Sequence, residues 1–262
     1  MKKNWLYIVT FIIIIAGSFL LLSFTTEQRK KAVCEKIDVR ILNNQFNQFL
    51  KKKDILSMLN HHNIKIKGEY LDNINTLIIE NILSSSTVIR NVAAYTTVNG
   101  SLVIEVEQRT PVIRIIDSQY QQYFIDELGC IIPDRIEQVA HVLVANGNIP
   151  SIEIKNRQNI KSILADSSRQ STIVRDLYEV ARFINSSEFW KAQIQQIYVN
   201  EKGEIVLIPM VGNHIILFGD GTNIKEKFVK LRSMYQVFNQ IGWNQYKIIN
   251  LKYNKQIICI KQ

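Results

Sequence analysis

Residues Trp5 to Phe24, WLYIVTFIIIIAGSFLLLSF, contain no charged side chain. At 1.5 Å rise, roughly 20 helical residues span the ~30 Å hydrocarbon core of a bilayer. Lys2 and Lys3 precede the run; Arg29, Lys30 and Lys31 follow, offset by Glu27. A cleaved signal peptide has a shorter apolar core and ends on a small-x-small site. Here Ala16-x-Ser18 lies inside the run, and no cysteine stands just after it to take a lipid. The sequence therefore predicts a single uncleaved anchor at residues 5–24, a short cytoplasmic tail at 1–4 and a polar link at 25–33. Basic residues flank both ends, so the positive-inside rule barely discriminates; the short tail before a large folded portion favours tail inside, domain outside.

No other window approaches ~18 apolar residues. The remainder divides into two blocks, residues 34–108 and 109–262. In the first, EKIDVRI alternates as a strand. DILSMLNHHNI begins on Asp54, a candidate N-cap, and carries Ile55, Leu56 and Leu59 at helical spacing. LDNINTLIIENILSSS sets Ile74, Leu77, Ile78 and Ile82 on one helical stripe. Two β-rich runs flank Asn99-Gly100, a hairpin signal, with Leu102, Ile104 and Val106 on one face. The expected order is β-α-α-β-β. The second block is β-rich, with PVIRII, QYFID, HVLVA, EIVLIP and HIILFG as short strands. Two helices interrupt it, striped by Ile173, Leu177, Val180 and Ile184, and by Phe228, Leu231, Tyr235 and Phe238. The fold class is α+β.

Catalytic patterns are absent from the sequence: there is no GxSxG, HExxH or GxxxxGK[ST]. His61 and His62 are adjacent, so on a helix they cannot face one metal. His141 and His214 fall in β runs and read as satisfied sheet residues. Asp126-Glu127 before Gly129, and Gly219-Asp220-Gly221, read as turn chemistry. Cys34, Cys130 and Cys259 are far apart and odd in number, against a disulfide framework or a zinc site. They read as small hydrophobes. No cofactor is expected. The formal charge is +9. From Gly221 to Gln262 there are eight Lys or Arg against one acid, Glu226. Such a segment suits an acidic protein, an anionic membrane or nucleic acid, or is a solvated basic face. No nucleic-acid-binding motif accompanies it.

The hairpin strand ending LVIEVEQRTPVIRI, then YFIDELGCIIP, resembles the junction between the two extracytoplasmic domains of the bacterial cell-division family FtsQ, called DivIB in Gram-positive bacteria. The short basic tail with one anchor, the β-α-α-β-β block (similar to a POTRA domain) and INLKY near the C-terminus fit the same family. Asn250 stands where an Asp is common and Lys252 where an Arg is common. The resemblance implies a non-enzymatic scaffold of the division septum. It would sit in the inner membrane with its C-terminal domain in the periplasm and recruit FtsB- and FtsL-type coiled-coil partners. By motif, Lys252 and Tyr253 match the family's Arg-Tyr partner-contact pair; the remainder of Tyr246 to Lys261 matches as a region.

The closing stretch YKIINLKYNKQIICIKQ reads as an edge strand to which a partner strand can add. Ile249, Leu251 and Tyr253 alternate with Asn250, Lys252 and Asn254. NKQ breaks the alternation and IICI resumes it, either continuing the edge or folding back to cover it. The candidate contact residues are Tyr246, Ile248, Asn250, Lys252, Tyr253 and Lys255. A well-paired terminal strand with no partner is the plain alternative. Other functions compatible with the sequence are a membrane-anchored cell-envelope enzyme and a POTRA-bearing export or assembly factor.

Overall fold

A computed structural model describes residues 11–18, 32–43, 50–133, 142–154, 159–160 and 169–261. Residues 11–18, within the expected anchor, are helical. The rest of 5–24, the link as far as Lys31, the polar stretch 44–49 and His141 lie outside the described residues. Among those described, no helix is long and apolar enough to cross a membrane. The chain forms two compact units that part between Gln108 and Arg109.

The first unit runs β1 (Lys36–Ile41), α1 (Lys52–His61), a short 3-10 turn (Leu71–Asn73), α2 (Thr76–Ser84), β2 (Ile89–Thr96) and β3 (Ser101–Gln108). Its sheet has the order β1-β3-β2, with β1 parallel and β2 antiparallel to β3. Parallel neighbours need a crossover, which the helices supply. Central β3 buries Leu102, Ile104 and Val106 completely, the face its alternation predicts.

Two helix details differ from the sequence reading. Asp54 is not the N-cap of α1; Lys51 is, and Asp54 sits at the third helical position. There its Oδ2 accepts the Lys51 N–H at 2.7 Å, the reciprocal half of a capping box. In α2 the buried residues are Ile79 and Leu83, not the expected Ile74, Leu77, Ile78 and Ile82 stripe. Leu77 is 63% exposed and Ile78 45%. Thr76–Ser84 holds Leu77, Ile78, Ile79, Ile82 and Leu83, so more than one stripe satisfies the helical period. Asn75 Oδ1 accepts the Ile78 N–H at 3.2 Å and fixes where the helix starts.

The second unit contains β4 (Pro111–Ile116), β5 (Gln122–Asp126), β6 (Ile131–Pro133), β7 (Leu143–Gly147), α3 (Arg169–Asn185), α4 (Glu188–Gln193), β8 (Ile194–Val199), β9 (Ile205–Pro209), β10 (Ile215–Gly219), α5 (Ile224–Ile241), β11 (Tyr246–Asn250) and β12 (Ile258–Lys261). One nine-stranded sheet results, ordered β12-β11-β10-β9-β8-β7-β4-β5-β6. Three described helices serve this unit rather than the expected two; α4 is a short turn that the 3.6-residue pattern does not reveal. Leu177, Val180 and Ile184 of α3 and Phe228, Leu231, Tyr235 and Phe238 of α5 are buried in the core as the stripes predict, while Ile173, the first of the α3 stripe, is only partly buried against it. Each such side chain contributes about 1.5–3 kcal/mol by leaving water.

Asp126 confirms the turn reading of ELGC. Its Oδ1 accepts the N–H groups of Leu128 (2.9 Å) and Cys130 (2.7 Å), and its Oδ2 accepts Arg109 Nη1 at 2.8 Å. The carboxylate is buried yet fully partnered, as a buried charge must be.

The outer edge of β2 is also closed by a side chain: Glu80 Oε1 accepts the Ala94 N–H at 2.8 Å. We expect Glu80→Ala to cost about 1–2 kcal/mol and to speed hydrogen exchange at Ala94 more than at its β3-paired neighbours. Unchanged exchange at Ala94 would refute the assignment.

Candidate protein-binding edge

β11 does not stand at the edge of the sheet. It lies between β10, with Ile215↔Ile248 and Ile216↔Ile249 in parallel register, and β12, with Ile249↔Cys259 and Ile248↔Ile260 antiparallel. The open question about IICI is thereby answered: the chain turns at NKQ and folds back. Among the described residues, the unpaired backbone edge belongs to β12. The expected alternation also stops earlier than Tyr253. Ile249 and Leu251 are fully buried, whereas Tyr253 is 47% exposed, because the strand ends at Asn250.

The turn from β11 to β12 is held from below. Lys230 of α5 donates from Nζ to the Leu251 carbonyl (2.9 Å) and to the Tyr253 carbonyl (2.8 Å). Asn250 Oδ1 accepts the Lys252 N–H at 3.1 Å. Lys255 takes a left-handed conformation, φ 57°, that lets the chain reverse. Lys252 reaches Glu204 at 2.8 Å, and its stem lies over Gly219. Gly219 has φ +89°, and a Cβ there would stand 2.9 Å from Lys252 Cγ, so glycine is required twice over. The Lys252 hydrogen bond holds the Glu204 carboxyl below its ordinary pKa, aided by Asn200.

Beneath the turn a cleft of about 660 Å³ opens between the start of α5 and the β11–β12 connection. Lys225, Lys227, Lys230, Lys252 and Lys255 line it, with Glu204, Asp220 and Glu226. Lys227 is almost wholly buried; its Nζ donates to the Asp220 carbonyl and Oδ1, both at 2.9 Å, and lies 4.8 Å from the Phe218 ring centroid. These hydrogen bonds, with those from Thr222, pull Asp220 down to about 2. Gly219-Asp220-Gly221 is thus a turn closed by an ion pair.

The six sequence-predicted contact residues separate into two groups. Tyr246, Ile248 and Asn250 belong to interior strand β11, and Lys252, Tyr253 and Lys255 to the turn. Tyr246 is half-buried and stacks on Phe238 at 5.7 Å. Ile248 lies on the sheet face opposite Ile249, in a row with Ile215 and Ile260 across three strands. The sequence reading missed Ile258 and Ile260, the exposed side chains of β12 itself (41% and 51%). Their signal was the break at NKQ, which marks the start of a second strand.

Comparison with known families bears on this unit directly. The model described as FtsQ/DivIB, C-terminal related, matches residues 110–260. The chain belongs to the FtsQ/DivIB family. A model described as POTRA-like domain matches residues 32–107, the first unit. No curated protein matches the chain significantly. The FtsQ/DivIB match takes in β4 through β12 up to Ile260, so the cleft, the turn and most of the edge strand all lie within family-defined sequence.

His214, read from sequence as a satisfied sheet residue, is instead buried just before β10, and neither ring nitrogen meets a hydrogen-bond partner among the described residues. It packs edge-on to Phe238 at 5.4 Å and to Tyr235 at 6.1 Å. Burial lowers its pKa, opposed in part by the nearby Trp243 carbonyl. A histidine held neutral in the folded state favours folding above its unfolded pKa of about 6.5. That contribution is lost as pH falls through the lower folded value. Stability should therefore decline on acidification below about pH 6.5, and His214→Phe should remove that part of the slope in pH-dependent urea titrations. Separately, Lys227→Met should return Asp220 from about 2 toward the ordinary ~3.9, measured by NMR titration. The pair's support is full above the unfolded carboxylate pKa and is lost as pH falls toward the folded one.

Proposed function

We propose that the chain is a non-enzymatic, single-anchor scaffold of the bacterial division septum. In this reading residues 5–24 hold it in the inner membrane and both folded units face the periplasm. The C-terminal edge receives FtsB- and FtsL-type partners and so links them to septal peptidoglycan synthesis. The observation that carries it is β12: an outermost strand with Ile258 and Ile260 exposed, beside a basic turn, in a chain of the FtsQ/DivIB family. A strand added to β12 gains main-chain hydrogen bonds along its unpaired edge. It also extends the Ile215–Ile248–Ile260 row, and acidic side chains flanking it find Lys255 and Lys261.

Recovery of FtsB- and FtsL-type proteins with the full-length chain as bait tests this. Ile260→Asp, Tyr253→Ala and Lys255→Glu should each reduce recovery several-fold while the thermal transition stays in place, since all three side chains are exposed. Charge reversal at Lys252 is a less clean probe, because it would set a second carboxylate against Glu204 and over Gly219. Unchanged recovery by all three variants refutes the edge. A fluorescent fusion should form mid-cell rings, and a uniform envelope signal would count against a septal role.

A further inference from the structure

One end of the POTRA-like unit collects exposed apolar side chains that the packing of that unit does not use. The chain comes into the unit at Ala32–Cys34, which runs antiparallel to Glu69–Leu71: Leu71 N–H donates to the Ala32 carbonyl and Cys34 N–H to the Glu69 carbonyl, with a bridge between Val33 and Tyr70. Ala32 thereby lies beside Leu71, the first residue of the 3-10 turn that precedes α2.

Three separate segments meet that end. Glu35 N–H donates to the Gly100 carbonyl, and a Cβ on Gly100 would stand 3.0 Å from the Val33 carbonyl, so the β2–β3 turn lies against the incoming strand. Glu80, in mid-α2, reaches Ala94 near the end of β2, which sets the first turn of α2 at the hairpin end of the unit. Val98 on the hairpin turn is 82% exposed, Leu77 on α2 63% and Tyr70 51%. Lys65 and Lys67, also exposed, sit in the loop leading to Tyr70.

We infer that this end of the POTRA-like unit, with Val98, Leu77 and Tyr70 as its contacts, rests on the surface of the bilayer in which the anchor is embedded. The inference rests on the anchor reading of residues 5–24. Only seven residues separate Phe24 from Ala32, a reach of no more than about 30 Å even when fully extended. The end through which the chain arrives is therefore confined to the neighbourhood of the membrane. Apolar side chains held there gain by entering the headgroup–acyl boundary, and a tyrosine suits that boundary, apolar in body and polar at its tip. Lys67, with Lys65 although it also pairs with Glu69 at 3.7 Å, favours anionic headgroups. A scattered trio of exposed hydrophobes would call for no explanation; three at the end nearest the anchor do, against the single Leu42, also 63% exposed, at the opposite end beside Val106.

The test uses the full-length chain, with Cys130 and Cys259 replaced by serine and buried Cys34 retained, reconstituted into vesicles of phosphatidylethanolamine and phosphatidylglycerol. An environment-sensitive fluorophore is attached in turn through Leu77→Cys, Val98→Cys and, as a control at the far end of α2, Ser85→Cys. We expect emission from the first two to shift to the blue and to be quenched by headgroup-proximal spin-labelled lipid several-fold more than emission from the third. Equal quenching at all three sites, or a blue shift without lipid quenching, overturns the inference, the latter by pointing to a protein cover. Failure of the chain to float with the vesicles would refute the anchor instead, so the two failures are distinct. Substituting phosphatidylcholine for phosphatidylglycerol should weaken the quenching at Leu77 and Val98; an increase would oppose the part given to the lysines.

Discussion

Ile249 and Leu251 fix the closing strands of this molecule. Both are fully buried in the core that α5 completes with Phe228, Leu231, Tyr235 and Phe238. A two-residue turn cannot join parallel neighbours, so β10 reaches β11 only through the length of α5. The parallel register Ile216↔Ile249 then sets the register of β12, which has no other neighbour among the described strands. A one-residue slip in β11 would turn Ile249 outward and Ile248 inward and would carry β12 with it. The outer edge is therefore only as well defined as the seating of those two side chains and the clamp from Lys230 onto the carbonyls of Leu251 and Tyr253.

The basic segment looks different once its lysines are sorted by what they hold. Lys227 is consumed by Asp220 and the Phe218 ring, Lys230 by two main-chain carbonyls, and Lys252 by Glu204. These are structural charges, tied down where turns would otherwise leave polar groups unsatisfied. Lys255 and Lys261 stand at the turn and on the edge strand, where their field reaches an incoming chain. Net charge alone could not make this division, because burial and partner decide it, and neither is written in a count of lysines.

Periodic features were legible in the sequence; choices between equivalent periods were not. The stripes of α3 and α5 and the inward face of β3 were readable because one face was apolar and the other polar. α2 failed for the opposite reason: Leu77, Ile78, Ile79, Ile82 and Leu83 offer more than one stripe, and only packing chose Ile79 and Leu83. Capping of α1 was misplaced by three residues because Asp54 can serve as N-cap or as the third residue of a capping box, and the local sequence allows both. At the candidate edge the turn at NKQ was visible, but whether the next strand paired with its predecessor or extended it depends on a contact between segments, Ile249 with Cys259. Of the six candidate contact residues, Tyr246, Ile248 and Asn250 therefore fall on the interior strand, and Lys252, Tyr253 and Lys255 on the turn.

The four sheet edges among the described residues differ in how open they leave their backbone to another strand. In the first unit, Glu80 occupies the Ala94 N–H on the outer side of β2, and β1 on the other side is a short strand preceded by the Val33–Tyr70 bridge. In the second, β6 is three residues long, ends on Pro133, and buries Ile131 and Ile132. Proline, brevity and an intercepting side chain are the ordinary ways of blunting an edge against unwanted pairing. β12 uses brevity, with four residues, and Lys261, but leaves Ile258 and Ile260 exposed. Main-chain groups alone would accept any strand, so selectivity has to come from side chains flanking the edge. Under the proposed docking at β12, the exposed isoleucines would reward apolar residues in the added strand and Lys255 and Lys261 would reward acids, a narrower class of partner than an open backbone alone would admit.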